Sequence, residues 1–229
     1  MKPQLWRWVA AIGAVLAVVV VIVLIVRASS SSDSPEAAAD KPEKTKTEKS
    51  KRPRNVKLPD GAFMVKSNGG WCWFQDERVI VDGGNALVGT VAGTSRDGTK
   101  AGDIELTSFD IASKKGKTTK LHPKLQSDDH AAPAVLRLAD GRYLSAYSKH
   151  AKEKVMYFRV SEKPGDATAW KAEATLNLDG NVTYANLVLE PGDKGRVFNF
   201  YRGGDNLPHV MTAPAAGEPF TEGGPLFAW

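Results

Sequence analysis

Apolar and polar positions divide the chain into three stretches of different character. Residues 8–26 are apolar without interruption, 19 positions rich in Val, Ile, Leu and Ala. As a helix they would rise about 28 Å, close to the thickness of a bilayer's hydrocarbon core. Residues 29–60 carry almost no large apolar side chains, Ser giving way to Lys, Glu, Pro and Thr. Such a stretch buries too little surface to offset its conformational entropy, which predicts a disordered spacer. From residue 61 onward, short β-branched and aromatic runs alternate with turns containing Gly, Asp and Asn, and no helical period is sustained.

Three hairpins stand out in that last stretch. Runs 79–81 and 86–91 flank Asp82-Gly83-Gly84-Asn85, and 135–138 and 143–147 flank Ala139-Asp140-Gly141-Arg142. Runs 187–189 and 196–201 flank Pro191-Gly192-Asp193-Lys194-Gly195. Further strands are predicted at 103–109 and 117–121 after the first hairpin, and at 155–160 and 169–173 after the second. A period of roughly 50–57 residues with four short strands is the signature of a propeller blade. Residues 161–170 form a degenerate Asp-box, a turn that ends in a packed tryptophan, here Trp170, and so marks blade type rather than chemistry. The predicted fold is therefore all-β: a β-propeller with four-stranded blades over residues 61–229, three of them complete and a fourth starting at 225–229. Closing a ring takes at least four blades, so the sequence reads as a partial propeller from a longer protein.

Charge sharpens this division. Through residue 60 there are 11 Lys plus Arg against 6 Asp plus Glu; the totals of 31 and 26 leave residues 61–229 balanced at 20 and 20. The basic excess belongs to the tail, which removes any electrostatic case for nucleic acid. Arg27-Ala28-Ser29-Ser30 is a poor signal-peptide cleavage site, so residues 1–28 are expected to be an uncleaved anchor rather than a removed leader. Lys2 and Arg7 place its short end in the cytoplasm and the propeller on the non-cytoplasmic side. The single cysteine, Cys72, permits no internal disulfide, and its neighbours Trp71, Trp73 and Phe74 predict a buried thiol. Alternation around Cys72 puts Trp71 and Trp73 on one side, with core packing favoured over a platform for sugar rings.

Several short motifs then occur in a set order. They are Gly70-Trp71-Cys72-Trp73-Phe74-Gln75-Asp76, Gly102-Asp103-Ile104-Glu105, Asp128-Asp129-His130-Ala131-Ala132-Pro133 and Asp140-Gly141-Arg142-Tyr143-Leu144. Tyr147-Ser148-Lys149-His150, Thr183-Tyr184 and Phe200-Tyr201-Arg202-Gly203 follow. Through these motifs, roughly residues 67–205 resemble the BNR repeat-containing family. That family resembles, and in part includes, β-propeller polysaccharide lyases that cut ulvan and related uronate-containing polymers.

The resemblance implies that His130 and Tyr184 are a proton-transfer pair, with His150 and Arg202 holding the substrate carboxylate. β-Elimination removes the proton on C5 of a uronate, beside a carboxylate that resists further negative charge. A cation against that carboxylate stabilises the enolate-like transition state. The implied substrate is an acidic polysaccharide, met by a chain that is monomeric at full length. No cofactor is expected; a structural cation is left open. Asp128 and Asp129 could orient His130 or bind a cation, and His209 could line the same face.

Each residue also has a plainer reading. His130 could be a hydrogen-bonded loop histidine, His150 an exposed strand end, Tyr184 a core aromatic, and Arg202 a rim arginine paired with Asp205. His122, before Pro123, is expected at the surface, and Tyr147 could stack on a sugar. A metal centre built from Asp128, Asp129 and His130 alone is disfavoured, because three consecutive residues seldom point at one ion. Two other functions compete with a lyase: a glycan-binding propeller without catalysis, and a sialidase-like hydrolase, for which the arginine cluster is missing.

Overall fold

The structure, a computed structural model, describes residues 58–93, 101–192, 195–215 and 217–227. Three antiparallel sheets follow one another along the chain. The first is a meander of β2 (Val79–Asp82), β3 (Asn85–Ala92), β4 (Ile104–Asp110) and β5 (Lys115–His122), with β1 (Gly69–Gly70) paired beyond β2 on the same edge of β3. The second contains β6 (Ala134–Arg137), β7 (Tyr143–Ser148), β8 (Val155–Val160) and β9 (Ala174–Asn177). The third contains β10 (Thr183–Leu189), β11 (Val197–Arg202), β12 (Pro208–Ala213) and β13 (Thr221–Pro225). This is the order and strand count of successive propeller blades.

Local sequence accounts for most of these strands. Asp82 pairs with Asn85 across Gly83-Gly84, whose φ values of 54° and 82° suit a two-residue turn that twists with its strands. Sheet faces are covered on both sides where blades meet, so β7 is buried at all six positions, whereas β5 is exposed along most of its length. One apolar cluster joins the first two sheets through Leu87, Ile104, Leu106, Val135 and Tyr147. A second joins the last two through Leu144, Met156, Leu187, Val197 and Met211. Close approach also demands small residues: a Cβ on Gly89 would lie 2.3 Å from the Pro133 carbonyl oxygen.

Residues between β1 and β2 leave the sheet and tie all three blades together. Gly89 N donates to Arg78 O (2.8 Å), Val135 N to Glu77 O (2.7 Å) and Leu187 N to Asp76 O (3.0 Å). Three consecutive carbonyls thus each receive an amide from a different sheet.

Two strand expectations are corrected. The outer strand of the second sheet lies at Ala174–Asn177 rather than at 169–173. Its Asp-box holds the chain in a turn first: Asp166 Oδ1 accepts from Thr168 N and Oγ1 (2.8 and 2.7 Å), and Trp170 Nε1 donates to Ala167 O (2.9 Å). Trp170 is accordingly structural, packed against the first core cluster. Pro225, expected at the start of a fourth blade, instead ends β13, the outer strand of the third sheet; residues 228 and 229 of that expectation lie outside the described residues. Glu222, Gly223 and Gly224 are poor strand formers, which hid this element. Among the described residues no helix is long and apolar enough to cross a membrane. The expected span at 8–26 and nearly all of the expected spacer lie outside the described residues.

Candidate functional site

Four expected residues, one from each of four chain segments, meet at one end of the second and third sheets. His130 sits in a short 3₁₀ turn, Asp129–Ala131, between β5 and β6. Asp128 caps this turn: its Oδ1 accepts from His130 N (3.0 Å) and from His130 Nδ1 (2.8 Å). Asp129 Oδ1 is 2.9 Å from the same ring nitrogen. Behind the turn, the fully buried Gln75 donates from Nε2 to His130 O (2.7 Å). His150 follows β7, its backbone N–H held by Gln126 Oε1 (2.7 Å), and its Nδ1 meets the other Asp128 oxygen at 3.0 Å. The two imidazoles stack with centroids 4.1 Å apart and planes 15° from parallel.

Tyr184 is delivered by an irregularity in β10. Pairing with β11 slips between Thr183 and Asn186, and Tyr184 takes a φ of 69°, the left-handed region that a bulky residue rarely occupies. A strained residue inside a bulge is a functional pointer, because surrounding contacts must hold it there. Its ring lies 5.6 Å from His130 and 6.5 Å from His150. Arg202 ends β11 opposite Thr183, donates from Nη2 to Thr183 Oγ1 (3.0 Å), and sits with Cζ 5.3 Å from the Tyr184 ring centroid. No carboxylate pairs with Arg202 among the described residues. Asp205, the partner offered by the plainer reading, takes His209 instead.

The electrostatics separate two roles. Burial on its own would raise the Asp128 carboxyl, but the hydrogen bonds from His130 and His150 outweigh it and hold the pKa at about 2. An ionised Asp128 accepts, so each imidazole donates from Nδ1 and leaves Nε2 for a substrate. Tyr184 moves the other way: burial raises its pKa, exceeding the lowering by the Arg202 charge. It is therefore a neutral phenol at ordinary pH, able to donate a proton. Asp128, His130 and His150 also place one ligand atom each within 4.8 Å of one another, a set that could hold a divalent cation. His150, from the next hairpin, supplies the donor that three consecutive residues could not.

Other candidates fall elsewhere. His209 does not join the cluster; its Nε2 lies 3.0 Å from both Asp205 oxygens, and it lines a separate polar groove with Lys154, Asp179, Asn181 and Glu222. Tyr147 is wholly buried and donates to Glu173 Oε2 (2.6 Å), so it cannot stack on a sugar. His122 is not a surface residue but half-buried at the seam of the first two sheets, with Nδ1 2.8 Å from that same oxygen. Cys72 is buried as expected. Trp71 and Trp73 are the reverse of the expectation: both project from the surface, because residues 71–78 are an excursion between strands and not a strand. Sequence reasoning named Asp128 as an orienter of His130 or a cation ligand and missed its second partner, His150. It missed Gln75 and Gln126 altogether, and no local pattern marks Gln126.

The family profile described as "BNR repeat-containing family member" matches residues 94–211, just over half of the chain. The chain belongs to this family. No curated protein matches it in sequence. Among solved structures, it is similar to an ulvan lyase described as a new family of polysaccharide lyase, PL25, with a TM-score of 0.54 and 17% identity. That match covers 69% of this chain and 40% of the lyase. A structure of such a lyase bound to -[GlcA(1-4)Rha3S]- gives 0.53 and 16% over the same shares. This chain thus spans about 40% of the length of those lyases, and at these identities the likeness is one of fold.

Proposed function

We propose that this protein is a carbohydrate-active propeller that cleaves an acidic, uronate-containing polysaccharide by β-elimination. Residues 8–26 would hold it on the non-cytoplasmic face of a membrane. The observation that carries this reading is the guanidinium of Arg202, without a carboxylate among the described residues, beside two imidazoles and a phenol. A cation left unpaired within such a cluster is a receptor for an anion that arrives from outside.

The chemistry follows from the protonation states. Arg202, with His150 Nε2 beside it, receives the uronate carboxylate, and the guanidinium stabilises the charge that spreads into it. His130 Nε2, its lone pair free because Nδ1–H is committed to Asp128, removes the C5 proton. The C5 electron pair forms the C4–C5 double bond, the bond from C4 to its glycosidic oxygen breaks, and the Tyr184 phenol protonates that oxygen. No cofactor takes part; a cation on Asp128, His130 and His150 would occupy the base and is not required by these steps.

The test is ultraviolet absorbance of the unsaturated uronate, with the full chain offered a panel of acidic polysaccharides. His130→Ala and Arg202→Ala should each lower the rate by roughly 10²- to 10³-fold, the scale of losing a proton-transfer group or an oxyanion partner. Retention of the glycan without any absorbance would replace this reading with a binding propeller.

A further inference from the structure

The excursion between β1 and β2 has a composition that core packing does not explain. Trp71, Trp73 and Phe74 are 52%, 79% and 63% exposed, yet their neighbours Cys72 and Gln75 are 4% and 0% exposed. The backbone beneath them is fixed. Gln75 Nε2 donates to His130 O (2.7 Å), Asp76 N donates to Asn186 Oδ1 (2.8 Å), and the carbonyls of Asp76, Glu77 and Arg78 receive one amide from each sheet. Three large apolar side chains are therefore held in water on a firmly pinned loop, at a cost that an interaction surface would recover.

Position indicates the occupant. Phe74 lies 6.0 Å from Tyr184, ring centroid to centroid, so the aromatic patch runs directly on from the cluster of Tyr184, His130 and Arg202. One face of Trp71 is already covered by Arg78, whose Cζ sits 4.5 Å from the ring centroid and whose guanidinium also donates to Gln75 O. Trp73 is the most exposed of the three. A pyranose presents a flat array of C–H bonds on one face and hydroxyls at its rim, which suits an aromatic plane bordered by polar groups.

From this we infer that Trp73 and Phe74 form a stacking platform for the sugar units next to the one whose carboxylate meets Arg202. This deepens the proposed function and rests on it for the identity of the polymer. The platform gives no help to proton transfer; it binds the chain and sets its register, so its effect falls on affinity and grows with chain length.

The experiment uses oligoglucuronates of graded length. Trp73→Ala should raise KM for the longer chains about five- to tenfold while kcat stays within about twofold, a size typical of one lost aromatic contact. Trp73→Phe should restore most of the affinity, and Trp73→Leu, equally apolar but not flat, should not. Binding is read separately in a His130→Ala background from the shift in tryptophan fluorescence on adding the same oligosaccharides. A fluorescence response that needs Trp73, in a parent that forms no unsaturated product, would sustain the platform and reject the lyase. Product formation with KM unmoved by Trp73→Ala would reject the platform and leave the lyase standing. Absence of any response to the oligoglucuronates would overturn the platform, as would a response to vesicles of anionic phospholipid in its place.

Discussion

Two clusters in this protein use nearly the same side chains to opposite ends. At the seam of the first two sheets, His122, Tyr147, Tyr157 and Arg159 surround the carboxylate of Glu173. At the site, His130, His150, Tyr184 and Arg202 gather around Asp128. In the seam, Glu173 Oε2 takes Tyr147 OH at 2.6 Å and His122 Nδ1 at 2.8 Å, with Arg159 Nε at 4.0 Å. Burial drives the Tyr147 phenol far above its ordinary pKa, and the hydrogen bond to Glu173 adds to the rise. His122 and Tyr147 both turn inward to this one acceptor, which ties the two sheets together. At the site the imidazole Nδ1 atoms go to Asp128 and Arg202 Nη2 goes to the Thr183 hydroxyl; no hydrogen bond to the Tyr184 hydroxyl and no acid for Arg202 are found among the described residues. Residue type does not separate the two clusters; the difference lies in the charge of Arg202 and the hydroxyl of Tyr184, left at the site without an internal acid among the described residues.

Several substitutions would break or sharpen that contrast. The largest effect is expected from Tyr184→Phe, which removes the proton donor and keeps the ring: the elimination rate should fall about 10²-fold or more with the unfolding midpoint unchanged. A comparable loss of stability without loss of rate would move Tyr184 into the structural class. Next comes Glu173→Ala, which strands Arg159 and the Tyr147 hydroxyl at the seam. Urea unfolding should show a loss of about 2–3 kcal/mol, while kcat of the folded fraction is retained.

The smallest effect concerns pH. The Asp128 carboxyl is depressed from 3.8 to about 2 in the folded protein, so it stabilises the fold above about pH 4. That contribution is lost as the pH falls through about 2. Allowing for its partial exposure, the amount is about 1 kcal/mol. Unfolding free energies measured between pH 4 and 2 should fall more steeply in the parent than in Asp128→Asn, and equal slopes would mean that Asp128 is not held by the imidazoles.

How much of this was legible in the sequence depended on distance along the chain. The turn Asp82-Gly83-Gly84-Asn85 and the strands beside it were plain, because turn chemistry and β-branched runs act over a few residues. The Asp-box was recognised, but the strand after it was placed too early, since the closing contacts of Trp170 and Thr168 delay it. β13 was unreadable in Glu222-Gly223-Gly224, whose strand state comes from pairing with β12. His130, His150, Tyr184 and Arg202 were legible through the order of their motifs, and the structure does bring them together. What could not be seen was whatever required a second blade: Asp128 bridging to His150, the bulge that turns Tyr184, and the lack of an acid paired with Arg202 among the described residues. Alternation put Trp71 and Trp73 on one side, as the structure does, but the core took the side of Cys72, which the sequence could not decide.

Asp76, Glu77 and Arg78 add one more property. Each carbonyl of this tripeptide closes a hydrogen bond to a different sheet, and Gln75 just before it holds the His130 carbonyl. Loosening these four residues would release an amide in every blade at once and free the turn that carries His130. The tripeptide thus couples the three sheets to one another and, through Gln75, to the turn that carries His130, although it contributes no reactive group to the site.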